Sequence, residues 1–267
     1  MKPWTLALGL LAYSLSSQGQ PLEGLYPGGI AVVTLPDGTQ SAEFKGYPVW
    51  IENDQARIGI PLSETAGPSG ITTDNGQWIG FTISDRQYPE QHIQLRNTQQ
   101  VTPNQRNLTR IRGESAEQQA WYRRFSQWQP DLPMVFPIKG RVSGEFGRRR
   151  VFNGQPRRPH SGIDIAAPTG TPVLAPTSGQ VIGVGDYFFN GKTLFIDHGQ
   201  GLITMFCHLS AIDVSIGDWV EQGSPVAKVG STGRSTGPHL HWTLSLNDAR
   251  IEPHLLLPQL SDLPRKK

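Results

Sequence analysis

Residues 231–246 read "STGRSTGPHLHWTLSL", and the last eight of them form a strand-like run in which one leucine separates His239 from His241. In a β-strand, residues i and i+2 project from the same face. The two imidazoles therefore point one way, while Leu240 and Trp242 point the other way, as core residues do. The chain has only seven histidines in 267 residues, so the pairing asks for a reason. Two same-face imidazoles lose stability if both protonate and gain it from a metal that holds at least one neutral. On this spacing alone, solvated histidines are the alternative.

Strands and glycine-rich turns surround this run. From Met134 onward "PVLAP", "GQVIGVG", "KTLFIDHG", "LITMFCHL" and "DWVEQGSPVAKVG" alternate with turn residues, without the βαβ rhythm of a parallel sheet. A mostly antiparallel sheet or sandwich is expected. From Pro21 to Val101, "IAVVTL", "YPVWIEN", "ARIGIPL", "QWIGFTIS" and "HIQL" predict a second, smaller antiparallel β-domain with nothing catalytic in it. Between the two, "TPNQRNLTRIRGESAEQQAWYRRFSQW" is rich in Arg, Gln and Glu and sets Trp121, Phe125 and Trp128 at i, i+4, i+7. That spacing predicts a helical connector docked by an aromatic stripe. The expected architecture is mainly all-β: a β-module over 20–102, a connector over 103–130, a compact antiparallel domain over 131–260 and a basic tail over 261–267.

The opening "MKPWTLALGLLAYSLSSQGQ" has a basic Lys2, an apolar stretch from Trp4 to Tyr13, then small and polar residues. This is the layout of a secretory signal peptide, expected over 1–19. Its apolar stretch is too short to span a bilayer comfortably. No cysteine stands near the cleavage site to take a lipid. The mature chain is expected to be exported, periplasmic or secreted, with no transmembrane anchor. A formal net charge of +2 leaves no electrostatic footprint for a nucleic-acid partner. The single cysteine, Cys207, excludes an internal disulfide and is expected to be buried.

Five residues of the second domain belong together. His160 and Asp164 lie in "RRPHSGIDIAAP", where Gly162 and the flanking prolines argue against a helix and place the pair across a turn into a strand. An imidazole and a carboxylate converging there can share a borderline metal such as zinc, or simply hydrogen-bond to one another. His208 in "MFCHLS" ends an apolar strand. His239 and His241 complete the set. Cys207 alternates to the face opposite His208, which argues against a ligand role for it. His92, His198 and His254 are read as structural or surface groups.

The stretch from Phe136 to Leu257 resembles the lysostaphin/LytM-type metalloendopeptidases of peptidase family M23. "SGEFGRRR", "HSGIDIAAPTGTPVLAPTSGQV", "FIDHGQGLITMFCHLS" and "VEQGSPVAKVGSTGRSTGPHLHW" follow that family's order and spacing. The β-module, with "QYPEQHIQL", is more loosely similar to a non-catalytic module found ahead of such domains. The resemblance implies one Zn2+ per chain held by His160, Asp164 and His241, with His208 and His239 as catalytic histidines. It also implies a grooved domain that cuts peptide bonds in the stem peptides or cross-bridges of peptidoglycan. Many relatives carry tyrosine where this chain has Phe206, two residues before His208; the ring is kept and a hydroxyl is lost.

The chemistry agrees with the resemblance. Three protein ligands leave a fourth zinc position open for water, whose pKa then falls from about 15.7 toward about 7. No glutamate of an HExxH helix is present, so imidazoles must handle the proton. The N-terminal module is expected to gate the groove or position the glycan. A catalytically inactive scaffold of the same fold, binding cell wall or activating another hydrolase, is the alternative; such relatives typically lose a ligand position, and here all five are present.

Overall fold

The computed structural model describes residues 24–258. The expected signal peptide and basic tail lie outside the described residues. Among the described residues, no helix is long and apolar enough to cross a membrane.

The chain is mainly β, as expected. Its centre is an eight-stranded sheet with the order Trp219–Val220, Gly179–Tyr187, Gly191–Asp197, Leu202–Leu209, His239–Leu246, Ile163–Ala166 and Arg141–Gly144. Ala249–Ile251 folds back onto the end of His239–Leu246, and every pairing in the sheet is antiparallel. That return passes through Asn247 and Asp248, both at positive φ, the conformation a two-residue hairpin turn demands. A smaller sheet of Pro172–Leu174, Pro225–Lys228 and Ala211–Ile212 completes this part of the molecule.

Strand His239–Leu246 follows its alternation. Leu240, Trp242, Leu244 and Leu246 are fully buried in the main core with Phe206, Ile163, Ile165 and Leu194. His241, Thr243 and Ser245 occupy the opposite face, where the chain is also covered. Burying four large apolar side chains on one strand stabilises it by about 1.5–3 kcal/mol each, enough to hold the histidine parity in place.

The N-terminal residues form two small antiparallel sheets around a core of their own, which includes Phe44, Ile58, Ile60 and Ile71. They are also built into the second domain. Ile30 and Trp50 belong to the same apolar cluster as Trp242. Asn247 closes on Gly59 with two hydrogen bonds, accepting from its N–H at 2.7 Å and donating to its carbonyl at 3.1 Å. Strand Glu90–Ile93 runs parallel beside Arg149–Phe152, the one departure from antiparallel pairing among the described strands.

Among the described residues there is one α-helix, Gln105–Tyr122; it starts at Asn104, whose side chain accepts from the Asn107 N–H at 2.9 Å. It ends before Phe125 and Trp128, so the expected aromatic stripe is not one helical face. Trp121 docks from the helix, and glycine at 183 leaves it room: a Cβ there would sit 2.8 Å from the indole nitrogen. Phe125 and Trp128 dock from the extended segment that follows, against Gly201 and Gly199, and Trp128 meets Trp219 edge-on at 5.6 Å. The helix is not a free connector either. Tyr122 packs on Phe195 and bonds Met205 Sδ, while Arg250 lies 3.4 Å over its ring.

His198 is fully buried at the end of Gly191–Asp197. Its Nδ1–H donates to the Ser178 carbonyl at 2.9 Å and its Nε2 accepts from the Thr204 hydroxyl at 2.8 Å. Burial holds the imidazole down at about 4. The unfolded chain therefore binds this proton first, and the stability it withholds is lost as pH falls from about 6.5 toward 4, by up to about 3 kcal/mol. Urea midpoints at pH 7 and pH 5 should differ less in His198→Gln than in wild type; an equal difference would contradict this.

Candidate active site

The site grows from one register. Asp164, second residue of Ile163–Ala166, lies directly opposite His241, and Ala166 lies opposite His239. Antiparallel partners share a face, so Asp164, His239 and His241 project together, as the alternation predicts. His160 reaches them from the turn before Ile163. That turn is pinned by the bond from His160 N–H to the Arg148 carbonyl at 2.9 Å and from Gly147 N–H to the His160 carbonyl at 2.8 Å. Gly162 allows it to lie flat on the neighbouring strand, because a Cβ there would stand 2.3 Å from the Trp242 carbonyl oxygen.

Three donor atoms converge. His160 Nε2 is 3.0 Å and His241 Nδ1 2.7 Å from Asp164 Oδ1, and the two nitrogens are 3.1 Å apart. His160 Nδ1 donates to the Glu145 carbonyl at 2.7 Å; a carbonyl only accepts, so the neutral ring turns a bare Nε2 inward. His241 Nε2 stands 2.9 Å from the Thr243 hydroxyl, which can accept its proton and free Nδ1. Among the described residues, this is the one cluster of His, Cys, Asp and Glu that gathers three possible metal ligands.

The electrostatics suit a cation. Burial works to raise the Asp164 carboxyl, but its contacts with His160 and His241 outweigh that and hold it well below the usual carboxylate range. Burial pushes His241 down to about 4, against the pull of Asp164. Without the protons that bond Asp164, the two inward ring nitrogens turn lone pairs toward the same point as the carboxylate oxygen. Their 2.7–3.1 Å separations approach the ~3.3 Å expected between tetrahedral ligands bound at 2.0–2.1 Å. The donor set fits a divalent metal, and both second nitrogens have the outer partners that orient metal-bound histidines.

His208 and His239 stand beside this cluster. Their rings are 4.8 Å apart, and His239 Nε2 is 3.8 Å from Asp164 Oδ1. Each fixes its Nδ1–H on a backbone carbonyl, Thr232 for His208 and Gly237 for His239, both at 2.8 Å. His208 sits at φ 61°, where a residue with a side chain is uncommon and strained. Burial, then the neighbouring His241 and His239, push its imidazole down to about 3.

The left-handed turn at His208 corrects one expectation. Cys207 is the register partner of His241 and so shares its face; simple alternation does not set it apart from His208. It is instead covered by Tyr122, Ile203 and Met205, and burial pushes its thiol up, leaving it protonated. Phe206 packs against Trp242 in the main core. His92 pairs with Glu90 at the surface, and His254 packs beside Phe136.

Sequence reasoning passed over several supports. Arg150 donates to Asp164 Oδ2 at 2.8 Å, and nothing in "GRRR" marks which arginine does so. Thr243 was accessible from alternation, since it follows His241 on the same face. Gly144 completes the row across the sheet beside Asp164. A cleft of about 680 Å³ opens on His241 and is lined by Met205, the helix residues Ile111 and Gln118, and Leu62 of the N-terminal region.

Comparison with known proteins adds to this geometry. The model of peptidase family M23 matches residues 158–253. A solved structure from Pseudomonas aeruginosa assigned to peptidase M23 is 42% identical, with a TM-score of 0.75 over 88% of this chain and 96% of that one. The DD-carboxypeptidase/endopeptidase Mpg of Neisseria meningitidis is 40% identical over 45% of this chain and 27% of its own length. The peptidoglycan DD-endopeptidase ShyA of Vibrio cholerae is 36% identical over 49% of this chain and 32% of its own. The chain thus spans about a third or less of these two curated relatives.

Gly144 gives the site a direct test. A Cβ there would lie 2.3 Å from Asp164 Oδ2, so Gly144→Ala must displace the carboxylate. Chelator competition should find divalent-metal affinity lowered by about 10- to 100-fold, the usual cost of disturbing an outer partner. Unchanged affinity would show that the carboxylate does not set metal binding.

Proposed function

The chain belongs to peptidase family M23, and we propose that it is an exported, zinc-dependent endopeptidase acting on the peptide part of peptidoglycan. The observation that carries the reading is the convergence of His160 Nε2, Asp164 Oδ1 and His241 Nδ1, with two further imidazoles beside them. In this reading those three residues hold one Zn2+ per chain, and His208 and His239 serve the reaction. The names of the Neisseria and Vibrio relatives support a DD bond in peptidoglycan as the bond cut. Peptidoglycan lies outside the cytoplasmic membrane, in keeping with an exported, periplasmic protein.

When bound, zinc supplies Lewis acidity, polarising the scissile carbonyl and easing deprotonation of a water molecule. The chain's own groups do the rest. Asp164 stays anionic, and Arg150 fixes its second oxygen, so the carboxylate cannot rotate away from the ligand cluster. His208 and His239 have their Nδ1 protons committed to backbone carbonyls, which leaves Nε2 of each free to accept or return a proton. Positioned imidazoles of this kind contribute about 10²–10⁴ in rate. A ring that has taken up a proton from the water also stabilises the oxyanion that forms at the carbonyl, and the two residues share these tasks. The strained backbone at His208 is the local sign that its ring is held for function.

The N-terminal region enters as a wall. Pro61, Leu62 and Ser63 line the cleft together with the helix and His241, which supports a role in controlling access. It also shares the main core through Ile30 and Trp50, so it is not a removable cap. The inactive-scaffold reading is not favoured, because no ligand or catalytic position is lost.

Metal analysis and activity on purified sacculi separate the roles. His160→Ala and His241→Ala should each lose stoichiometric zinc and all turnover. His208→Ala should keep one zinc per chain while turnover falls by at least about 10²-fold. One zinc per chain retained after both ligand substitutions would overturn the assignment.

A further inference from the structure

The walls of the cleft carry more positive charge than they neutralise. Its acidic groups are already engaged: Glu114 with Arg110 at 2.6 Å, and Asp248 with Arg123 at 3.2 Å and Arg250 at 3.1 Å. Asp164 takes Arg150. Among the described residues, Arg157, Arg158 and Arg234 have no carboxylate within ion-pair distance. Arg158 and Arg234 line the same cleft as His241.

Arg234 is the most confined of the three. Its guanidinium carbon lies 4.2 Å from the centre of the Phe189 ring and 4.7 Å from that of Phe152. Nη1 donates to the Gln100 carbonyl at 3.2 Å. The two rings confine the fork, and among the described residues that carbonyl is its one acceptor. Burial and the nearby Arg150 and Arg157 press its pKa down to about 10, still cationic at neutral pH. A cation partly removed from water, crowded by like charges and lacking a counter-ion, is costly unless something else supplies the anion. A preoriented guanidinium favours a planar, bidentate acceptor.

We propose that Arg234, with Arg158 lining the same cleft, binds a free carboxylate of the substrate peptide and so sets where the chain lies relative to the metal ligands. The inference rests on the endopeptidase reading and narrows it to peptides bearing an acid near the scissile bond. Two sources share this chemistry, the C-terminal carboxylate and a side-chain carboxylate within the stem peptide. Arg234 is in this account a binding residue, not a participant in bond breaking. Its place in the loop before His239 makes the carboxylate site continuous with the catalytic strand.

The test is a binding titration of the full, zinc-loaded chain with three forms of one short stem peptide. These are the free acid, the C-terminal carboxamide and the side-chain carboxamide. Wild type should bind the free acid about tenfold tighter or more than one of the two carboxamides, the gain expected for a hydrogen bond between charged groups. The weaker carboxamide identifies which carboxylate is held. Arg234→Gln should weaken the free acid to the level of that carboxamide and leave the carboxamide unchanged, with thermal melting as in wild type. Arg234→Lys should recover part of the preference. Equal affinity of wild type for all three forms, including no measurable binding, would overturn the proposal. So would an Arg234→Gln variant that weakens all three alike. Hydrolysis plays no part in this readout. Selective binding without cleavage would therefore sink the endopeptidase reading alone, and equal binding of all three forms by a protein that cleaves them would sink this one alone.

Discussion

The antiparallel register between Ile163–Ala166 and His239–Leu246 is the constraint on which the site depends. It sets Asp164 opposite His241 and Ile163 opposite Trp242, so one pairing aligns the ligand face and the core face together. A slip by one residue would turn Trp242 into the cleft and bury His241 in the apolar cluster. Trp242 and Leu240 are fully buried, so such a slip is opposed by several kcal/mol of lost burial. Packing on one side of the strand therefore fixes chemistry on the other. Gly144 and Gly162 let the flanking backbone come close enough to complete the row.

What gathers on that face is a stability liability in ordinary terms. Asp164, His160, His241 and Arg150 are largely withdrawn from water, and desolvating ions costs several kcal/mol each. The two inward imidazole nitrogens bond Asp164 only through a proton that one of them carries there. A divalent cation in the place of that proton would engage all three donors together. The same reasoning extends along the cleft. Arg158 and Arg234 line it without carboxylate partners, and Arg234, held beside two phenylalanine rings, is the cation that an incoming anion would relieve.

Much of this was legible in the sequence, for identifiable reasons. Period-two alternation predicted the shared face of His239 and His241, and glycine and proline around His160 predicted a turn rather than a helix. Alternation failed where the backbone left the β region: the positive φ at His208 breaks the parity that would have separated Cys207 from it. Helical spacing misread Trp121, Phe125 and Trp128, because an extended segment can dock aromatics into glycine gaps equally well. Arg150 and Arg234 carry no local signal; their roles arise only when distant segments meet. The parallel pairing of Glu90–Ile93 with Arg149–Phe152 is likewise a product of tertiary contact between short strands.

The central claim, that this cluster holds a metal which cuts the peptide part of peptidoglycan, meets its most direct test in the products. Purified sacculi are incubated with the protein, with the protein plus a chelator, and with the chelated protein after zinc is restored. Released muropeptides are then identified by mass spectrometry. The account predicts uncross-linked peptides with a new end at a DD bond, lost on chelation and recovered with zinc. Intact cross-links under all three conditions, or cleavage indifferent to the chelator, would contradict it.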